Sequence, residues 1–273
     1  MSFCVLGTRI SRRLAVYNEN QIRFIRRSCN ILHDVEEHLK TIIREGVTTG
    51  EIDRVAADLI QSANAEAAFM GVKGNPDYPA TCCISINEEI VHGIPGPRKL
   101  KSGDIVSIDC GAKSKGYYSD AAFTVAVGDV TDVAIGLMEA TRDALFAGTD
   151  MARAGNHIGD ISAAIQRTAE GRGFSVVRHL YGHGVGANLH EDPPIFNFGQ
   201  PGTGPEIVPG MVLAIETMVC EKGHKIVTLD DGWTVVTADG GLAAHFEDTI
   251  LVTVDGPVNL TRVNLEGTPL PRV

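Results

Sequence analysis

Four carboxylates in this chain sit where carboxylates are costly. Asp109 ends the apolar run Ile105-Val-Ser-Ile, and Glu216 ends Val212-Leu-Ala-Ile. Asp120 opens Asp-Ala-Ala-Phe-Thr-Val, and Glu247 opens Glu-Asp-Thr-Ile-Leu-Val. A buried carboxylate must be paired, hydrogen-bonded or metal-bound. Lys and Arg are sparse in these stretches, so ion pairing is not the obvious solution. Carboxylates joined by one or two histidines are the donor set of divalent metals. Four carboxylates around a single ion leave excess negative charge; two ions about 3.5–4 Å apart, sharing carboxylates, balance it. Such a pair activates a water and a carbonyl, which is the chemistry of amide or phosphate-ester hydrolysis.

The histidine to go with them is His183, in Tyr181-Gly-His-Gly-Val-Gly. It reads as a loop histidine whose flanking glycines let the backbone come close to a ligand or metal. His190, in Leu-His-Glu-Asp-Pro-Pro, and His92, in Ile-Val-His-Gly-Ile-Pro, stand at strand or loop ends, where functional residues gather. Each could be a polarising donor or a ligand. His33, His38, His157, His179, His224 and His245 lack such settings and read as surface or packing residues. The glycine-rich stretch lacks the Lys-Ser/Thr of a phosphate loop. No GxSxG elbow offers a nucleophilic serine. Cys83 has no local base and reads as a wall, and because Cys82 and Cys83 alternate across a strand only one can face a site.

The elements that must position these groups can be read from periodicity. Apolar residues every three or four positions from Asn20 to Glu45 predict a helix stopped at Gly46. Thr48 and Glu51 form a capping-box pair that opens a second helix to about Ala68. Helices are also expected over Thr131–Phe146 and Gly159–Glu170. Strands are expected over Cys82–Ile86, Asp104–Cys110, Ser119–Val127, Val176–Leu180, Met211–Val219, Lys225–Leu229, Thr234–Thr237 and Phe246–Val254. Helices and strands mix without strict alternation, which points to an α+β fold with a largely antiparallel sheet.

An internal echo organises these strands. Gly103-Asp-Ile-Val-Ser-Ile-Asp109 reads like Gly210-Met-Val-Leu-Ala-Ile-Glu216, and each is followed by a strand opening on an acid, Asp120 and Glu247. Two pseudo-symmetric halves, each supplying two carboxylates, are implied.

Composition bounds the rest. The 273 residues are 44% hydrophobic and 21% charged, with a formal net charge of −10, typical of a globular chain. The acidic balance argues against nucleic acid as the main ligand. No apolar run is long enough to span a bilayer. The six cysteines form no CxxC pair and read as free thiols of a reducing compartment. The stretch before the first helix, residues 1–19, reads as a poorly packed arm; its Arg9, Arg12 and Arg13 keep an organelle-targeting role open beside a cytoplasmic one.

Taken together, NEEIVHGIP, GDIVSIDCG, YYSDAAFTVAVG, GHGVGANLHEDP, MVLAIETMV, DGWTVVTADG and HFEDTILVT resemble the type I methionine aminopeptidases, in order and spacing, from about Asn20 onward. The resemblance implies the pita-bread fold over residues 20–273, with two related halves around a curved sheet. It implies removal of the initiator methionine from nascent polypeptides, favouring a small second residue. The enzyme implied is a monomer that uses two divalent ions (Co, Mn, Fe, Zn or Ni) and works near the ribosome. Asp120 and Glu247 would bridge the ions; Asp109 would complete one, His183 and Glu216 the other. Glu216 would also serve as general base and acid, His190 would bond the scissile carbonyl, and His92 the peptide backbone beyond it. Tyr78, Cys83 and Trp233 match positions of the methionine pocket. Leu189 stands where a phenylalanine is common, and Val72 and Asn75 replace a cysteine and a tyrosine. Rival readings are another hydrolase of this fold, such as a proline-specific aminopeptidase, a binding protein that has lost catalysis, and a metallophosphoesterase.

Overall fold

A computed structural model describes residues 14–273, apart from 264 and 266. The helix α1 spans Glu19–Ile42 and starts at a reciprocal cap between Asn18 and Gln21. Its buried stripe is Ile22, Ile25, Cys29, Leu32, Val35 and Leu39. The helix α2, Thr49–Ser62, opens on the expected Thr48–Glu51 box. It stops six residues short of the expected end, because Asn64 turns left-handed (φ 55°) and Glu66–Ala67, strand β1, leave to pair with Lys113 and Ala112.

Strands β2 (Cys82–Ile86), β3 (Glu89–Val91), β4 (Ile105–Ser114) and β5 (Tyr117–Ala126) follow. The helix α3 runs Asp132–Met151, five residues beyond the expected end. Gly148 lies within that extra turn, and a Cβ there would stand 2.7 Å from Ile165 of α4 (Ile158–Glu170), so the missing side chain is what lets the two helices close together. The second half continues with β6 (Ser175–Val176), β7 (Tyr181–Gly184), β8 (Glu191–Phe196), β9 (Val212–Cys220), β10 (Ile226–Thr228), β11 (Val235–Thr237), β12 (Ala243–Thr253) and β13 (Gly256–Asn259).

The main sheet runs β1-β4-β5-β12-β9-β7-β8, with β2 on β4, β6 on β9 and β13 on β12, and every pairing is antiparallel. A three-stranded sheet, β10-β11-β3, lies apart. One core packs α1 and α2 against β2, β4 and β5 through Leu32, Leu39, Ile52, Ile84, Val106 and Ile108. Another packs α3 and α4 against β9 and β12 through Leu137, Leu145, Ile161, Ile165, Leu213 and Ile250. Each such side chain contributes roughly 1.5–3 kcal/mol on burial. The two helix-backed layers are the halves that the echo implied.

Three expectations change. The strand expected over Val176–Leu180 ends at Val176, and the next, β7, begins at Tyr181, so His183 lies on a strand and not in a loop. The strand expected from Phe246 begins at Ala243. Residues 14–18 are not a loose arm: Tyr17 is buried, its N–H donates to the Gly210 carbonyl, and its hydroxyl donates to Glu191 while accepting from the Ala187 N–H. The rest of the expected arm, residues 1–13, lies outside the described residues. Among the described residues no helix is long and apolar enough to cross a membrane.

Candidate metal centre

Register alone puts the acids on one face. Cys83 pairs with Asp109, Asp109 with Ala122, Ala122 with Glu247, and Glu247 with Glu216. Directly paired residues of an antiparallel sheet share a face, as do residues two apart on one strand. Asp120 is two from Ala122, and His183 pairs with Ala214, two from Glu216. The five residues expected as ligands therefore form a row across four central strands plus β7, on the face opposite the one that packs α2, α3 and α4.

Side chains converge accordingly. Donor atoms of Asp109, Asp120 and Glu247 lie within 4.8 Å of one another, as do those of His183, Glu216 and Glu247, and those of Asp120, His183 and His190. Asp120, His183 and Glu247 each belong to two of these groups, so the three groups form one continuous cluster; of the three, the carboxylates have a second oxygen with which to serve two ions. With Phe69, Val91, His92, Leu180, Tyr181 and Met218 they line a cavity of about 40 Å³, room for two or three water-sized spheres.

The electrostatics demand a cation. Asp109, Asp120 and Glu247 are at most 9% exposed, and one carboxylate oxygen of each has no hydrogen-bond partner. No Lys or Arg lines the cavity among the described residues. Burial pushes the Asp109 carboxyl up to about 8. Burial, then repulsion from Asp109, pushes Asp120 and Glu216 well above the carboxylate range; Glu247 is raised by burial and then by Asp120. His183 does not supply the missing charge, because burial lowers it to about 4. Its Nδ1 lies 2.9 Å from the Gly184 carbonyl and must carry the ring proton. Nε2 then presents a lone pair to Asp120 Oδ2 at 3.7 Å. Two electron-pair donors facing each other at that distance suit a metal ion between them. The donor set therefore fits divalent cations.

Local structure accounts for the glycines beside His183. A Cβ on Gly182 would lie 2.5 Å from the Ala214 carbonyl oxygen, and one on Gly184 2.5 Å from that of Asp192. They serve the close approach of β7 to its neighbours as much as access to a ligand. His92 directly follows β3 in a left-handed conformation (φ 63°), and Gly93 behind it would place a Cβ 2.2 Å from the Ile84 carbonyl oxygen. His190 directly precedes β8, its ring 4.5 Å from that of His183. Burial lowers both His92, to about 3, and His190, so both are neutral and can donate one N–H each.

His245, which reads from sequence as a surface or packing residue, has a different position. It is buried, both ring nitrogens lack hydrogen-bond partners, and Nε2 stands 3.6 Å from Glu216 and 3.9 Å from Glu247. The signal was present: His245 is two residues before Glu247, hence on the same strand face.

Beside the cavity, Phe69, Tyr78, Ala80, Cys83, Leu189 and Trp233 form one apolar cluster with Val72 packed on it. Phe69, not singled out from sequence, reaches the cavity together with Cys83. Tyr78 and Trp233 meet edge to face at 5.2 Å. The Tyr78 hydroxyl donates into the Cys82 and Gly93 carbonyls, and Trp233 Nε1 into that of Pro76, so both rings turn their carbon faces to the cluster. Burial and Asp109 raise the Cys83 thiol, which suits a wall and not a nucleophile. Cys82 packs into the core under α1 and α2. The five described cysteines are free thiols.

Comparison with known proteins agrees with this arrangement. The chain is 47% identical to the methionine aminopeptidase of Clostridium perfringens over 246 residues, covering 90% of this chain and 98% of that protein. It is 46% identical to methionine aminopeptidase 1 of Bacillus subtilis, covering 89% and 97%. The crystal structure of methionine aminopeptidase from Thermotoga maritima superposes with a TM-score of 0.89 at 38% identity, covering 92% of this chain and all of that one. A prolidase from Pyrococcus furiosus shares the fold alone, with a TM-score of 0.74 at 22% identity. The family model described as metallopeptidase family M24 matches residues 23–254, most of the chain, and the chain belongs to metallopeptidase family M24.

Proposed function

We infer that this chain removes N-terminal methionine from polypeptides in a metal-dependent hydrolysis. The observation that carries the reading is the buried row of Asp109, Asp120, His183, Glu216 and Glu247, with no basic side chain lining it among the described residues, beside an apolar cluster. The relatives at 46–47% identity are methionine aminopeptidases. We propose two divalent ions, Asp109 holding one, His183 and Glu216 the other, and Asp120 and Glu247 shared. When bound, such a pair supplies Lewis-acid activation of a carbonyl and of a water molecule.

The protein's own groups do the rest. Glu216 accepts a proton from the attacking water at a carboxylate oxygen and returns it to the leaving amine. His245 packs against Glu216 and Glu247 and limits where those carboxylates can turn. His190 donates its N–H to the scissile carbonyl oxygen as charge grows there, and His92 donates to the peptide beyond the cut. Phe69, Tyr78, Cys83, Leu189 and Trp233 take the methionine side chain and exclude water. We propose a preference for a small second residue, as the resemblance in sequence implies. We place the reaction on nascent chains in the cytoplasm, carried out by a monomer.

Glu216→Gln keeps the size of the side chain and removes both a ligand and the proton acceptor. Expected is a loss of at least about 10²-fold in kcat on Met-Ala-Ser with an unchanged circular dichroism spectrum. Wild-type turnover by this variant in manganese, iron or cobalt would refute the mechanism.

A further inference from the structure

The face that carries the acids does not end at His183. Tyr181 is two residues earlier on β7, lines the same cavity, and pairs with Phe196 on β8, the edge strand of the sheet. The rings of Tyr181 and Phe196 are 4.7 Å apart; Phe198, 5.8 Å from Phe196, packs instead on the core of α3 and α4. Arg178 sits 5.4 Å over Phe198 and is paired with Glu170 at 3.7 Å. Phe196 is 37% exposed, a large aromatic left open on a strand that otherwise buries its alternate residues Pro193 and Ile195.

Sheet order gives this strip a direction. The apolar cluster for the first residue meets the acids at Cys83 of β2, with Leu189 joining it from the β7–β8 connection, and Phe196 lies beyond, at the far end of the edge strand β8. A peptide with its first side chain in the cluster and its scissile bond over the acids leaves toward the strip. The ring-to-ring step of 4.7 Å covers about one to two residues of extended chain at ~3.3 Å each. Resting on the reading of the site as an aminopeptidase, we propose that Tyr181 and Phe196 form a platform for the third residue of the substrate, selecting aromatic or aliphatic side chains there.

The test is kcat/KM for Met-Ala-Phe-Ser and Met-Ala-Gly-Ser with the manganese-loaded enzyme, in the wild type, Phe196→Ser and Phe196→Leu. One aromatic pair formed on binding is expected to favour the phenylalanine peptide about five- to tenfold, with the difference in KM and not in kcat. In Phe196→Ser that ratio should fall to about twofold or less, and in Phe196→Leu most of it should remain, because an apolar surface is kept. Equal cleavage of the two peptides by the wild type would overturn the platform and leave the aminopeptidase reading standing. A ratio unchanged in Phe196→Ser would also overturn it. Cleavage of neither peptide would overturn both.

Discussion

Asp109 is where the cost of the site can be measured. Burial holds its carboxyl at about 8 in the metal-free protein, so near neutral pH it keeps its proton. A cation needs the carboxylate, so metal uptake must expel that proton, and the other three acids, also raised by burial, add to the release. Apparent affinity for manganese should therefore rise by at least about tenfold from pH 6.5 to 7.5, the slope of one proton. Titration calorimetry in two buffers of different ionisation enthalpy counts the protons, and a release of none would contradict the assignment. The sign for stability is opposite. An unfolded aspartate ionises near 3.9, while the native one holds its proton to about 8, so the metal-free fold loses stability as pH rises between those values. The acids were legible in sequence because a carboxylate inside an apolar strand must be bound to something, and no basic residue stood near enough in the chain to serve. His245 was not, because a histidine among Ala-Ala-His-Phe resembles packing until the strand face is fixed by Glu247.

At the scale of elements, legibility followed how local the cause is. The Thr48–Glu51 cap and the stripe of α1 are set within one turn and were readable. The end of α2 depends on β1 finding β4 across the chain, whereas β8 (Glu-Asp-Pro-Pro-Ile-Phe) and β13 (Gly-Pro-Val-Asn) fold back on the strands just before them but are short and interrupted by proline or glycine, so neither leaves a periodic mark. The junction of β7 with β9 is the sharpest such case. Gly182→Ala would drive a Cβ to 2.5 Å from the Ala214 carbonyl oxygen and 3.1 Å from the Glu216 nitrogen, both backbone atoms that cannot step aside. Overpacking of this kind costs about 1–3 kcal/mol, and here the displacement falls on His183 and Glu216 together. Expected is a lower midpoint in urea, with metal affinity reduced at least about tenfold from loss of ligand alignment. A variant with wild-type affinity and midpoint would show that the two glycines beside His183 are kept for some reason other than strand contact.

The whole molecule is two halves joined at one seam, and the seam is splayed. Only Ala122 and Glu247 are in direct register between β5 and β12. On either side a threonine hydroxyl is inserted where a backbone pair would be. Thr249 Oγ1 accepts from the Asp120 N–H at 3.1 Å and donates to the Asp120 carbonyl at 2.8 Å. Thr124 Oγ1 does the same for His245, at 3.0 and 2.7 Å. The seam thus opens by a hydroxyl's width at Asp120 and Glu247, one from each half, the two carboxylates we propose as shared ligands. Bound metal then acts as a cross-link between halves, stabilising the native state by about 2.7 kcal/mol at a hundred times its dissociation constant. Thr249→Val keeps the shape and leaves the buried N–H and carbonyl of Asp120 without partners, a cost of about 1–3 kcal/mol. For a chain of this length each kcal/mol lowers Tm by about 2–4 °C. The loss should be read in chelator, where no metal bridges the seam. Because Asp120 itself is then free to shift, the affinity for manganese should fall as well, so that the Tm increase on adding a fixed excess of metal is smaller than in the wild type. If Thr249→Val lowers Tm in chelator but is stabilised by metal as much as the wild type is, the threonine supports the sheet alone, and the metal site does not depend on how the halves are joined.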